Sequence, residues 1–108
     1  MEFKEAFDKI IISEGGYVND PHDNGGETFM GIARKFNANN KLWEYVDKER
    51  KKGGGNKAIT DRLKANIEAV KCVYHTYYRL YWLPLRLDDV TNDKLQYQMF
   101  DDAVNRGI

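Results

Sequence analysis

Three carboxylates lie near the start of the sequence, and their spacing is suited to acid–base chemistry. Glu14 precedes two glycines, and Asp20 and Asp23 follow six and nine residues beyond it. A pair of carboxyl groups can cleave a glycosidic bond: one protonates the leaving oxygen, and the other stabilises the oxocarbenium-like transition state or holds a water molecule. Spacing does not choose between a retaining and an inverting geometry. Turn chemistry is the alternative for both aspartates, and it leaves Asp23 favoured over Asp20 as the second carboxylate.

A predicted helix from about Phe3 to Glu14 would position the first carboxylate. Phenylalanines and isoleucines recur before it at helical spacing, and Gly15-Gly16 would end the helix. Glu14 would then lie on the apolar stripe at the helix C-terminus, where burial and the helix dipole both raise the pKa of a carboxyl group. A raised pKa suits a general acid. The alternative is a solvated glutamate at a frayed helix end.

The next segment, residues 15 to 28, has four glycines and a proline, which indicates an ordered loop or small hairpin. We expect a short helix from about Met30 to Phe36, with Thr28 as a cap, and another from Leu42 to Lys51. The three glycines that follow this second helix are expected to form a flexible joint within one domain.

The longest predicted helix runs from about Ile59 to Trp82, because apolar residues recur there in alternating steps of three and four. Thr91 or Asn92 can cap a last helix that ends near Gly107. Together these elements predict a single, mainly α domain over residues 1–108, with a small loop or β-hairpin lobe after the first helix.

Composition excludes several classes of function. Seventeen basic residues balance seventeen acidic ones, which argues against a nucleic-acid partner, and no apolar run is long enough for a membrane span. Cys72 is the only cysteine and is expected to be a buried thiol. The loop beginning at Asp20 has oxygen ligands spaced as in a calcium loop, but Gly31 stands where a bidentate glutamate is required. No metal and no organic cofactor is expected.

The motif Glu14-Gly15-Gly16-Tyr17, continued by Asp23-Asn24-Gly25-Gly26-Glu27-Thr28 and Gly31-Ile32, resembles the signature of glycoside hydrolase family 108. Weaker similarity extends through Tyr78 to Trp82 and Phe100 to Gly107. These proteins are N-acetylmuramidases of phage endolysins and of secretion-linked bacterial lysozymes. The resemblance implies a lysozyme-like fold and a chain without the C-terminal peptidoglycan-binding segment that members usually carry.

The resemblance also implies roles for individual residues. Glu14 would be the general acid, Asp23 the assisting carboxylate, and Thr28 would help to position water or substrate. Tyr17 is a candidate substrate-binding residue. Tyr81 and Trp82 match a family pair that could stack on sugar rings, or they could pack in the core.

Three functions remain open at this point. The first is hydrolysis of the β-1,4 bond between N-acetylmuramic acid and N-acetylglucosamine in bacterial peptidoglycan. The second is a lytic transglycosylase that uses Glu14 alone, and the third is a non-catalytic peptidoglycan-binding or secretion-accessory protein. Because the N-terminus lacks the pattern of a signal peptide, we expect cytoplasmic synthesis and action at the cell wall after export through a holin or another system.

Overall fold

The computed structural model describes residues 1–22 and 26–106. They form two compact units. The terminal unit consists of Met1–Ser13 together with the chain from Tyr74 onward, and the central unit is Glu14–Val73.

The predicted fold class is confirmed: the described residues are mainly helical, with a small antiparallel sheet after the first helix. The α-helices are α1 (Phe3–Ile10), α2 (Leu42–Lys52), α3 (Gly55–Ala65), α4 (Ile67–Tyr77) and α5 (Asp93–Arg106). The strands are β1 (Tyr17–Asn19), β2 (Glu27–Phe29) and β3 (Ile32–Ala33), with β2 in the centre. No described helix has both the length and the apolar character needed to cross a membrane.

Helix α1 is shorter than the sequence predicted, because it ends at Ile10 rather than at Glu14. The backbone N–H and the side-chain hydroxyl of Ser13 both donate to the Ile10 carbonyl, at 3.2 and 3.0 Å, and form a turn in place of another helical turn. Ile12 is 84% exposed, so the apolar stripe does not continue beyond the helix.

The helix predicted from Met30 to Phe36 is largely wrong. Met30 and Gly31 both have positive φ, 48° and 81°, and they form the tight turn between β2 and β3. Only Arg34–Phe36 is helical, as a short 3-10 turn. Thr28 is consequently a strand residue paired with Val18 and Ala33, and the cap predicted for it is wrong.

The helix predicted from Leu42 to Lys51 is confirmed as α2, and the glycines after it form a tight turn into α3. Gly53, Gly54 and Gly55 all have positive φ, between 74° and 97°, which other residues rarely adopt. Arg62 of α3 reaches back and donates to the carbonyl of Gly53 at 2.6 Å, which joins the end of α2 to α3.

The single long helix predicted from Ile59 to Trp82 is also wrong, because Asn66 divides it into α3 and α4. Asn66 is extended, with φ −92° and ψ 106°, and its side-chain oxygen accepts from the N–H groups of Glu68 and Ala69. An asparagine that caps the next helix in this way stops the preceding one. After α4 the chain continues as a π-helical segment, Tyr78–Trp82.

The core of the terminal unit is aromatic. The ring of Phe3 lies within 6 Å of other rings on several elements of this unit, namely Phe7, Tyr74, Tyr78, Trp82 and Phe100. Asn92 caps α5, as one of the two predicted candidates, because its side-chain oxygen accepts from the N–H of Leu95 at 2.9 Å.

Candidate active site

Glu14 lies in the irregular segment between α1 and β1, at the start of the central unit, and it is half-buried. It lies four residues beyond the end of α1, so it is neither on the apolar stripe of that helix nor at its C-terminus. The two helix-based arguments for a raised pKa of Glu14 therefore do not apply. The raised pKa itself stays a prediction.

The peptide unit that joins Gly16 to Tyr17 is held at both of its polar groups. Its carbonyl accepts from the N–H of Met30 at 3.3 Å, and its N–H donates to the Thr60 hydroxyl oxygen at 2.8 Å. A side chain on Gly16 would overlap the methyl and hydroxyl of Thr60, so the second glycine of the motif is needed for this close approach to α3. Gly15, by contrast, is exposed and has open space around it.

Tyr17 is 3% exposed, and its hydroxyl donates to Oε2 of Glu27 at 2.6 Å. The two residues are diagonal neighbours on β1 and β2, where Tyr17 pairs with Phe29. Burial, and then the hydrogen bond to Glu27, raise the pKa of Tyr17 to about 12. The phenol thus stays protonated at neutral pH and acts as a fixed donor within the sheet.

Glu27 is also the centre of an ion-pair network between the sheet and α2. Arg34 donates to Oε1 of Glu27 at 3.0 Å and to both oxygens of Asp47 at 2.7 and 2.9 Å. Arg50 lies 3.3 Å from Oε2 of Glu27. The hydrogen bond from Arg34 lowers the pKa of Asp47, so the network remains charged at neutral pH.

The two candidates for the assisting carboxylate, Asp20 and Asp23, lie between β1 and β2 in the sequence, and Asp23 lies outside the described residues. Asp20 is exposed, and its Oδ1 accepts from the N–H of His22 at 2.9 Å, which is the turn chemistry considered for it from sequence. The N–H of Asp20 also contacts the carbonyl of Gly26 at 3.5 Å, where the two strands separate into the loop. Thr28 lies on the same pair of strands, half-buried.

A comparison with protein families matches residues 7–107 to Glycosyl hydrolase 108. The chain belongs to this family. Its members are glycosidases by description, so the protein is a glycosyl hydrolase and a glycan is the expected class of substrate. Comparisons with curated proteins and with solved structures gave no match.

Two aromatic residues of this family 108 hydrolase were candidates for stacking on sugars, and both are buried in the terminal unit. Tyr81 is 7% exposed, and Trp82 is fully buried with its indole N–H donating to Oδ1 of Asp88 at 2.9 Å. These contacts support the core-packing alternative for both residues.

The sequence did not identify Glu27, Arg34, Asp47 or Thr60 as residues that shape the site. Glu27 has one available signal, because it stands inside the motif and begins a strand. The sequence contains no comparable signal for Thr60, since Thr60 lies 43 residues from Tyr17 and meets it only in the folded structure. Among the described residues, no cluster of three or more potential ligands is arranged to hold a metal ion.

Proposed function

We propose that this family 108 hydrolase is an N-acetylmuramidase that cleaves the β-1,4 bond between N-acetylmuramic acid and N-acetylglucosamine, with Glu14 as the general acid. The observation that carries the proposal is the family match together with the position of the Glu14 motif. The half-buried carboxyl lies two residues before a peptide unit bonded at both of its polar groups.

In the proposed reaction, protonated Glu14 gives its proton to the glycosidic oxygen as the bond from that oxygen to the anomeric carbon breaks. Asp23, or alternatively Asp20, stabilises the positive charge on the sugar or orients a water molecule. The hydroxyl of a water molecule adds to the anomeric carbon, and the remaining proton of that water is delivered to the Glu14 carboxylate, so that Glu14 is protonated again and the aspartate stays ionised. Thr28 is the candidate for positioning water or substrate from β2.

Tyr17 supports this reaction from within the sheet. Because its hydroxyl is bonded to Glu27 and its ring is buried, we assign it to holding β1 against β2. The loop between these strands carries both aspartates, so the pairing of β1 with β2 sets where the loop begins and ends.

A turbidity assay on purified peptidoglycan tests the proposal with the native chain, Glu14→Gln and the control Glu68→Gln. Glu68 is an exposed residue of α4 whose carboxylate lies 3.7 Å from Lys71. We expect the native chain and the control to clear the suspension equally. Glu14→Gln should be slower by about 10²- to 10⁴-fold, the usual contribution of a general acid. Equal clearing by all three proteins would refute the role of Glu14. An inactive native chain would refute the proposed hydrolase activity on peptidoglycan.

Mass spectrometry of the digested glycan separates hydrolysis from the lytic transglycosylase reaction. Hydrolysis leaves reducing ends, whereas attack by the muramic 6-hydroxyl leaves anhydromuramic ends. We expect reducing ends. Anhydromuramic ends would show that the enzyme is a lytic transglycosylase and not a hydrolase. Since peptidoglycan lies outside the cytoplasmic membrane, we also propose that the enzyme acts there after export through a holin or another system.

A further inference from the structure

We propose that Thr60 of α3 is a positioning residue for Glu14, acting through the peptide unit between Gly16 and Tyr17. This inference rests on the proposed function, in which Glu14 is the general acid. Thr60 lies outside the Glu14 motif and makes its contact from another element of the central unit.

The geometry of that peptide unit is fixed by its two hydrogen bonds. A peptide plane has one donor and one acceptor, and here both are used, by Thr60 and by Met30. Because the peptide is planar, fixing both groups fixes the orientation of the whole unit. The position of the Gly16 Cα atom, from which the chain leads back to Glu14, is thereby set.

A steric contact with Thr60 also limits the position of the peptide unit. The methyl and hydroxyl of Thr60 lie against the backbone of Gly16, where an added Cβ would be 2.9 Å from the Cβ of Thr60 and closer still to its outer atoms. The peptide unit therefore cannot move toward α3, and the hydrogen bond of 2.8 Å opposes movement away from it.

Glu14 is close to this anchor along the chain. One residue, Gly15, separates Glu14 from Gly16, and Gly15 has no neighbouring atom within 4 Å of the place where a side chain would be. On this side of Glu14, the anchored peptide is the nearest backbone unit whose donor and acceptor are both bonded to described residues. A displacement of about 1 Å in a reacting group can cost about 10²-fold in rate, so the anchor matters for catalysis.

Two matched substitutions separate the hydrogen bond from the packing of Thr60. Thr60→Val keeps the branched shape against Gly16 but cannot accept the N–H of Tyr17. Thr60→Ser keeps the hydroxyl and removes the methyl group. Thermal melts and circular dichroism of both variants establish that they fold, and the exchange rate of the Tyr17 amide hydrogen reports the hydrogen bond directly.

Steady-state kinetics on soluble glycan fragments provide the catalytic readout. We expect Thr60→Val to lower kcat by about 10- to 100-fold with little change in KM, because the substrate still binds while the acid is misplaced. Thr60→Ser should keep kcat close to that of the native chain. Native kcat in folded Thr60→Val, or equal losses in both variants, would overturn the proposal.

A readout that does not need activity distinguishes failure of this inference from failure of the proposed function. The titration of the Glu14 carboxyl is followed by ¹³C NMR, with Glu14→Gln to assign the signal. We expect a shifted midpoint in Thr60→Val and an unchanged one in Thr60→Ser. An unshifted midpoint in both would refute the positioning role, whether or not the native chain cleaves peptidoglycan.

Discussion

The hydroxyl of Tyr17 and the carboxylate of Glu27 are joined by a hydrogen bond of 2.6 Å across the first two strands. Tyr17 ends the motif that contains the proposed acid, and Glu27 lies in the second half of the family signature. The bond therefore connects the two halves of the signature across the loop that separates them. Arg34 and Arg50 extend this connection from Glu27 to the rest of the central unit.

The first prediction concerns the loss of this hydrogen bond in Tyr17→Phe. A bond to a charged acceptor contributes about 1.5–3 kcal/mol, so we expect the free energy of unfolding at pH 8 to fall by about that amount. Urea denaturation measures the change. Tyr45→Phe is the control, because Tyr45 is a half-buried tyrosine of α2 whose ring lies near two lysines, Lys41 and Lys48, each 6.0 Å from the ring centroid. Equal losses in the two variants would show that the bond to Glu27 contributes little.

The native chain and Tyr17→Phe also give a prediction for alkaline pH. The pKa of Tyr17 is raised from 10.0 to about 12 in the folded protein, so the folded state retains a proton that the unfolded state has lost. Stability from this group is complete below about pH 10 and is lost as the pH rises toward 12. The difference in unfolding free energy between the native chain and Tyr17→Phe should therefore shrink across this range. A constant difference would contradict the raised pKa.

A second prediction concerns the part-buried ion pair that joins α2 to α3. Arg62 donates to Oε1 and to the carbonyl oxygen of Glu49, at 2.8 and 2.9 Å, and Glu49 is 8% exposed. We expect Arg62→Met to lower the free energy of unfolding by about 1.5–3 kcal/mol, because Glu49 loses one charged hydrogen-bond partner and keeps the other, Lys52. Lys57→Met on the same helix is the control. Its exposed pair with Asp61 should contribute less than about 1 kcal/mol.

The contribution of this pair to stability depends on pH in the opposite direction to that of Tyr17. Burial acts to raise the pKa of Glu49, but hydrogen bonds from Lys52 and Arg62 outweigh it and lower the pKa below 4.5. Stability from Glu49 is therefore present above about pH 4.5 and is lost as the pH falls through the lower folded pKa. The difference in the free energy of unfolding between the native chain and Arg62→Met should therefore become smaller at acidic pH. A difference in unfolding free energy that becomes larger at acidic pH would contradict the lowered pKa of Glu49.

The fold class and α2 followed from local sequence patterns, because apolar periodicity and glycine turns act over a few residues. The errors at the end of the first helix and in the longest helix came from single polar side chains, whereas the helix predicted from Met30 is replaced by a turn with positive φ at Met30 and Gly31. Ser13 and Asn66 hydrogen-bond to the backbone and interrupt helices that the apolar pattern would have continued. Composition around these positions is compatible with a helix, so periodicity alone could not locate the breaks.

The sequence supplies candidate site residues within the motif, and it does not reveal the neighbouring residues that reach the motif through tertiary contacts. Glu14, Asp20 and Asp23 are carboxylates within one short segment, which the sequence displays directly. Two sets of contacts form only when helices α2 and α3 pack against the sheet. They are the hydrogen bond from Tyr17 to Thr60 and the ion-pair network from Glu27 to Asp47. A single sequence contains no record of those long-range contacts.

A third prediction compares the two glycines of the motif. An alanine at position 16 would overlap Thr60, and overpacking of this kind costs about 1–3 kcal/mol. An alanine at position 15 meets no atom within 4 Å, and its backbone lies outside the left-handed region, so Gly15→Ala should be neutral or stabilise by up to about 1 kcal/mol. Thermal denaturation compares the two variants. Equal melting temperatures would contradict the close contact between Gly16 and Thr60.

The control for this comparison is a double substitution. Thr60→Ala removes both the methyl group and the hydroxyl that the new Cβ would meet, so Gly16→Ala should cost less in the Thr60→Ala background than in the native chain. A double-mutant cycle measures this coupling energy. Strictly additive losses would show that the cost of Gly16→Ala arises elsewhere.

The last prediction assigns the second carboxylate. Asn at position 20 can still accept the N–H of His22, so Asp20→Asn removes charge without removing the turn. We expect Asp23→Asn to lower kcat by about 10²- to 10³-fold, the usual effect of losing transition-state stabilisation, and Asp20→Asn to cause a much smaller loss. Kinetics on soluble glycan fragments measure both. The reverse order would assign the role to Asp20. If both variants retained native rates, Glu14 would act without a partner from this loop, and anhydromuramic ends would then be expected among the products.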